Sequence, residues 1–198
     1  FAYFTFHREG GEYGAYARRP WEHDFDTDAE YQILFDGDAE GEGKAYFDPG
    51  DICQSPDHKL IAVAVDDKGS EFYTITVRDI ATGEHLLDVI ENTTGDFVWG
   101  AGSNVIFWVY RDDQGRPSAV YRRVLGTGED TLVYEESDPG FFVNIEQSPS
   151  EKYIFIRTGG HTTSEVHFFS ADETDPELVT IAPRETDIEY SVVDFDNE

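Results

Sequence analysis

The sequence predicts an all-β chain of repeated four-stranded antiparallel units, the arrangement of a β-propeller. Three observations carry this. Apolar residues alternate at period 2 in short runs, while helical periodicity is weak throughout. The runs are separated by Gly, Asp, Pro and Asn, which turns favour. One unit also recurs: "SPDHKLIAVAV" begins at Ser55, "GAGSNVIFWVY" at Gly100 and "SPSEKYIFIRT" at Ser148, in steps of 45 and 48 residues. Four strands per roughly 45 residues is the period of a propeller blade.

The first unit, residues 1–40, is worn. "FAYFTF", "EYGAYARRP" and "EYQILFD" read as its three strands, with no inner strand before them and an insertion, "PWEHDFDTDAE", ahead of the third. The second unit, 50–91, runs through a Ser-Pro-Asp turn, a hairpin and "TVRDIATGE". There Arg78, Thr82 and Gly83 stand 45 residues before Arg123, Thr127 and Gly128 of the third unit, 96–136. The fourth, 142–182, contains "EVHFFSADETDPE", and residues 187–198 read as the start of a further blade. One blade cannot bury both faces alone, so neighbours must stack. Phe72, Tyr73, Phe107, Trp108, Tyr153 and Phe155 are expected inside strands, filling the space between blades.

Composition narrows the function. The 198 residues suffice for a sizeable core in one domain. With 42 acidic residues against 14 basic, the net charge is −28. That repels nucleic acid and anionic lipid, so neither is an expected partner. It attracts cations and basic peptides, or serves only as a solubility device. No apolar run approaches the ~20 residues of a membrane span, and no signal-peptide pattern is present. Cys53 is the only cysteine; it cannot form an internal disulfide or a multi-cysteine zinc site, which fits a reducing, cytoplasmic setting. The chain has no Met and opens directly in strand-like sequence, so it reads as a piece of a longer protein.

No metal or cofactor is expected. Asp24, Asp26 and Asp28 have the spacing of a calcium loop, but Ala29 and Phe35 stand where its Gly and Glu are required. Gly100–Gly102 and Gly126–Gly128 lie between strands with no helix to follow, so they are turns rather than phosphate loops.

Taken together, "FAYFTFHREGGEYGAYARRP", "SPDHKLIAVAVDDKGSEFYTITVRDIATGE", "IENTTGDFVWG", "VYRRVLGTGEDTLVYEE" and "TTSEVHFFSADETDPELVTIAPRETDIEY" resemble the propeller domain of the prolyl oligopeptidase family of serine peptidases, nearest its oligopeptidase B branch. The resemblance covers nearly the whole chain. It implies a seven-bladed propeller capping an α/β-hydrolase domain, which would be the chain's principal partner. It also implies Ser-Asp-His hydrolysis of short peptides, after Lys or Arg in that branch. No Gly-x-Ser-x-Gly motif occurs here. No catalytic residue is therefore assigned, and the chain alone is expected to be inactive. Four blades of a seven-bladed ring would leave apolar end faces exposed, so self-association through an end blade is expected.

The candidate site residues are Asp51, Asp96 and Asn144, each four residues before a turn marker. Equivalent depth on three inner strands would make them a polar, mostly acidic channel wall favouring basic peptides. The alternative is that they bond to backbone groups of adjacent blades. Two further functions stay open at this level. One is a non-catalytic acidic scaffold holding a protein or peptide partner. The other is a sugar-active propeller, which would need a defined carboxylate pair.

Overall fold

The structure, a computed structural model, describes residues 1–21 and 30–195. The aspartates of the calcium-like loop lie outside these residues. The first blade has three antiparallel strands, β1 (Ala2–His7), β2 (Gly14–Arg19) and β3 (Gln32–Asp36). A one-turn helix, α1 (Gly37–Gly41), follows, and its first turn is capped by the Asp36 carboxylate, which accepts from the Ala39 N–H. The remaining strands are β4 (Asp48–Gln54), β5 (Leu60–Asp66), β6 (Tyr73–Asp79), β7 (His85–Trp99), β8 (Val105–Arg111), β9 (Pro117–Val124) and β10 (Asp130–Glu135). The fourth blade holds β11 (Phe142–Gln147), β12 (Tyr153–Gly159), β13 (Ser164–Ser170) and β14 (Val179–Ala182).

The second and third blades share one strand. The first part of β7 pairs with β6 and its last part with β8, so the outer strand of one blade runs on as the inner strand of the next. The two units expected at 50–91 and 96–136 are thus joined in a seven-stranded sheet, β10-β9-β8-β7-β6-β5-β4. The expected further blade differs too. Residues 183–195 form no strand. They lie along β13 instead: the Ser164 N–H donates to the Ile188 carbonyl at 3.0 Å, and the Tyr190 hydroxyl accepts from the Val166 N–H at 2.9 Å.

The recurring turn has one geometry. Ser55, Gly100 and Ser148 each donate an N–H to the carbonyl five residues on, at 2.8, 2.9 and 2.8 Å. The third residue after each marker, His58, Ser103 and Glu151, is left-handed, with φ of 62°, 61° and 62°. In the two serine copies the buried hydroxyl also accepts a backbone N–H, from Leu60 at 3.0 Å and Tyr153 at 3.1 Å. The turn starts at a buried residue, where an unpaired backbone group is costly, and these bonds satisfy it.

The core lies between blades. Phe35 of the first blade packs with Phe47 and with Ile61 and Val63 of β5. Ala62, Ile75 and Ile90 of the second meet Phe97, Trp99 and Trp108 of the third. Phe107 and Val109 of the third meet Ile154, Ile156 and Phe169 of the fourth. Of the aromatics expected between blades, Phe107, Trp108 and Phe155 are buried and Tyr73 is half-buried. Phe72 precedes β6, and Tyr153 packs edge-on against Phe168 while staying 36% exposed. Among the described residues no helix is long and apolar enough to cross a membrane.

Candidate functional site on the inner strands

The candidate site follows from two breaks in strand register. Along β4, Pro49 pairs with Val65 and Ile52 with Val63, so one residue is extra and Asp51 sits in the bulge. Along β7, Thr93 pairs with Tyr110 and Phe97 with Trp108, so Asp96 also sits in an irregularity. Bulges re-aim side chains without ending the strand. Both are built around Tyr73. A Cβ on Gly50 would come within 3.1 Å of its ring, and so would one on Gly95, whose φ is +97°. A side chain at either position would press on that ring, and at Gly95 the left-handed backbone favours glycine besides. The Tyr73 hydroxyl donates to Asp48, and burial together with that carboxylate drives its pKa far up.

This geometry brings Asp51 and Asp96 together across the blade boundary. Asp51 is exposed to solvent, with atoms of both blades gathered around its inner side. Burial raises its pKa, the charge of Asp96 raises it further, and the Phe97 backbone N–H pulls it back. Asp96 accepts from the Thr94 hydroxyl at 2.8 Å. Neither carboxylate has a cationic side chain within ion-pair distance among the described residues. Asn144 lies exposed on β11, which pairs regularly with β12 and sets it opposite Arg157. Three equal sequence offsets therefore give two bulged acids and one regular amide.

Two neighbours were not among the sequence candidates. A groove of about 280 Å³ runs between β1 and β4, and Thr5 and His7 line it with Asp51 and Tyr16. The signal for it was the first unit's lack of an inner strand, which leaves β1 beside β4. Cys53, two residues on from Asp51, is not a nucleophile here: burial, then the charge of Asp51, pushes its thiol up to about 11. No group of three or more His, Cys, Asp or Glu among the described residues is arranged to hold a metal.

Stacked antiparallel blades, one of three strands and three of four, with cores between successive blades, define a β-propeller segment. The chain belongs to the family described as prolyl oligopeptidase, N-terminal beta-propeller domain, whose pattern matches residues 1–198. It is 38% identical over 163 residues to dipeptidyl aminopeptidase BI of Pseudoxanthomonas mexicana, covering 80% of this chain and 22% of that one. It is 30% identical over 175 residues to protease 2 of Moraxella lacunata, covering 86% and 25%. Its fold is similar to that of oligopeptidase B from Leishmania major, with a TM-score of 0.89 and 29% identity over 96% of this chain and 27% of that one. The chain thus spans about a quarter of the length of these relatives.

Proposed function

We propose that the chain is the substrate-gating propeller segment of a serine oligopeptidase that cleaves short peptides after basic residues. It would work as a filter over a hydrolase domain of the same parent chain, with no chemistry of its own. The observation that supports the basic preference is the pair Asp51 and Asp96, two carboxylates without a cationic partner on adjacent inner strands. A concave wall of one charge raises the local concentration of the opposite charge. The Phe97 N–H facing Asp51 gives that acid a structural role as well, but leaves its charge in place.

The test is Asp51→Asn with Asp96→Asn in the whole enzyme that contains this chain. For Arg-containing peptides kcat/KM is expected to fall about 5- to 10-fold at low salt, the scale of two charges acting through a partly solvated channel. Neutral peptides should change little. An unchanged ratio between the two substrates, with unchanged salt dependence, rejects the channel reading.

The isolated chain is further proposed to self-associate through an end blade. The outward face of the first blade carries Phe4, Phe6 and Tyr31 in mutual ring contact, with Tyr31 49% exposed. Beyond the fourth blade Phe195 is 84% exposed. Sedimentation equilibrium should give a dimer at micromolar chain; a monomer at every concentration rejects it.

A further inference from the structure

The repeat places two arginines in equivalent positions with different partners. On β9, Arg123 faces Asp130 of β10 in register. The carboxylate accepts from its Nε at 2.7 Å and from Nη2 at 2.8 Å, and the arginine is buried. On β6, Arg78 stands 45 residues earlier, and the residue facing it in register is His85 of β7. Histidine thus replaces the aspartate that neutralises the fork. Arg78 Nη1 still donates to Glu40 of α1 at 2.6 Å, but its buried Nε has no hydrogen-bond partner among the described residues.

That arginine opens into a groove of about 330 Å³ between α1 and β6. Thr74 and Thr76 alternate with it along the strand and line the same groove, offering two hydroxyls. Lys44 and Lys68 line it as well. The chain has only four lysines among its 198 residues, so half of them converge here. Neither has a carboxylate within ion-pair distance among the described residues, in a chain where acids outnumber bases threefold. Lys44 rests its ammonium 4.6 Å from the Phe47 ring centroid. Two carboxylates, Glu40 and Asp67, line it too, and Glu40 is already held by Arg78. None of the lining residues lies on an inner strand, so the groove is separate from the Asp51–Asp96 pair.

We infer that this groove is a binding site for a small oxyanion, of which a phosphate group is the best match. The anion supplies, from the groove side, the negative charge that Asp130 supplies to the equivalent arginine in the next blade. The Arg78 guanidinium, the two threonine hydroxyls and the lysine ammoniums are the donors. Arginine's planar fork suits such an anion, and with Arg78 already paired to Glu40 the two lysines supply the charge that draws a dianion more strongly than a monoanion.

The test titrates the purified chain with inorganic phosphate and with phenyl phosphate, followed by calorimetry and by the phosphorus NMR signal, with acetate as a monoanion comparison. Saturable phosphate binding is expected, with acetate weaker. Lys44→Gln with Lys68→Gln should weaken phosphate at least about tenfold. Lys59→Gln with Lys152→Gln removes the same charge elsewhere and should leave it unchanged. His85→Asp installs the missing carboxylate and should abolish binding without lowering the melting temperature. No saturation in the wild-type chain, equal loss in both lysine pairs, or full binding by the His85→Asp chain would each overturn the inference.

Discussion

Phe107→Ala lowers the unfolding free energy by about 3–5 kcal/mol, the usual range for truncating a fully buried phenylalanine. Phe107 is 0% exposed, and its ring centroid lies 4.9 Å from that of Phe169 in the next blade. Val105, Val109 and Val120 come from the same blade, and Val143, Ile145, Ile154 and Ile156 from the other. Each is fixed by its own strand ladder, so the walls cannot collapse into the void, and the cavity cost adds to the lost transfer energy. A domain of this kind has about 5–15 kcal/mol in total. The urea midpoint should therefore drop by about 1–2 M. Because the contact joins two repeat units, the variant should also begin to lose its fourth blade before the others. Phe107→Leu keeps most of the volume and should cost under about 1.5 kcal/mol. A midpoint for Phe107→Ala within error of the wild type would mean that the third and fourth blades are not held together by this contact.

The parts of this fold legible in the sequence are those that local chemistry dictates. The turn at Ser55, Gly100 and Ser148 shows because a buried start and a left-handed third residue recur at fixed offsets. The strands show because neighbouring blades cover one face of the end strands and both faces of β5 and β8, which read as near-continuous apolar runs. Less legible were features set by contacts distant along the chain. The continuity of β7 from His85 to Trp99 depends on pairing to β6 and β8 at once. The bulges that aim Asp51 and Asp96 at each other exist because Gly50 and Gly95 both close on Tyr73, which no count of residues before a turn reveals. Counting also singled out Asn144, but β11 has no bulge there, so it stands on a regular strand opposite Arg157. The exchange of Asp130 for His85 was visible as letters. It acquired meaning only once both positions proved to face equivalent arginines in register.

Arg184→Ala should be as damaging as the core truncation at neutral pH, and its cost should vanish in acid. Arg184 follows β14 and reaches back to Glu136, which follows β10, so the pair ties the outer ends of the third and fourth blades. Glu136 is 4% exposed; it also accepts from the Asp138 N–H at 2.8 Å and the Tyr134 hydroxyl at 3.1 Å. Arg184 lies 3.6 Å over the Phe141 ring and donates to the Thr158 hydroxyl at 3.0 Å. Burial works against the charged form of Glu136. The hydrogen bond from Arg184, the Asp138 N–H and the arginine's charge outweigh it, so the carboxyl titrates below its ordinary value of 4.5. A carboxyl lowered on folding contributes stability that is fully present above its unfolded value and is lost as pH falls through the folded one. Removing the arginine leaves a buried charge uncompensated, at about 3–5 kcal/mol. The burial that remains then favours the protonated acid, so the loss relative to wild type should be full near pH 7 and close to nothing once Glu136 takes a proton in both proteins. The difference is the quantity to follow, because acid also relieves the self-repulsion of a chain carrying −28 and shifts both curves together. Arg184→Lys keeps the charge but not the fork and should fall between the two. If the Arg184→Ala loss is the same at pH 3.5 and pH 7 in urea titrations, the stabilisation comes from packing on Phe141 rather than from the ion pair.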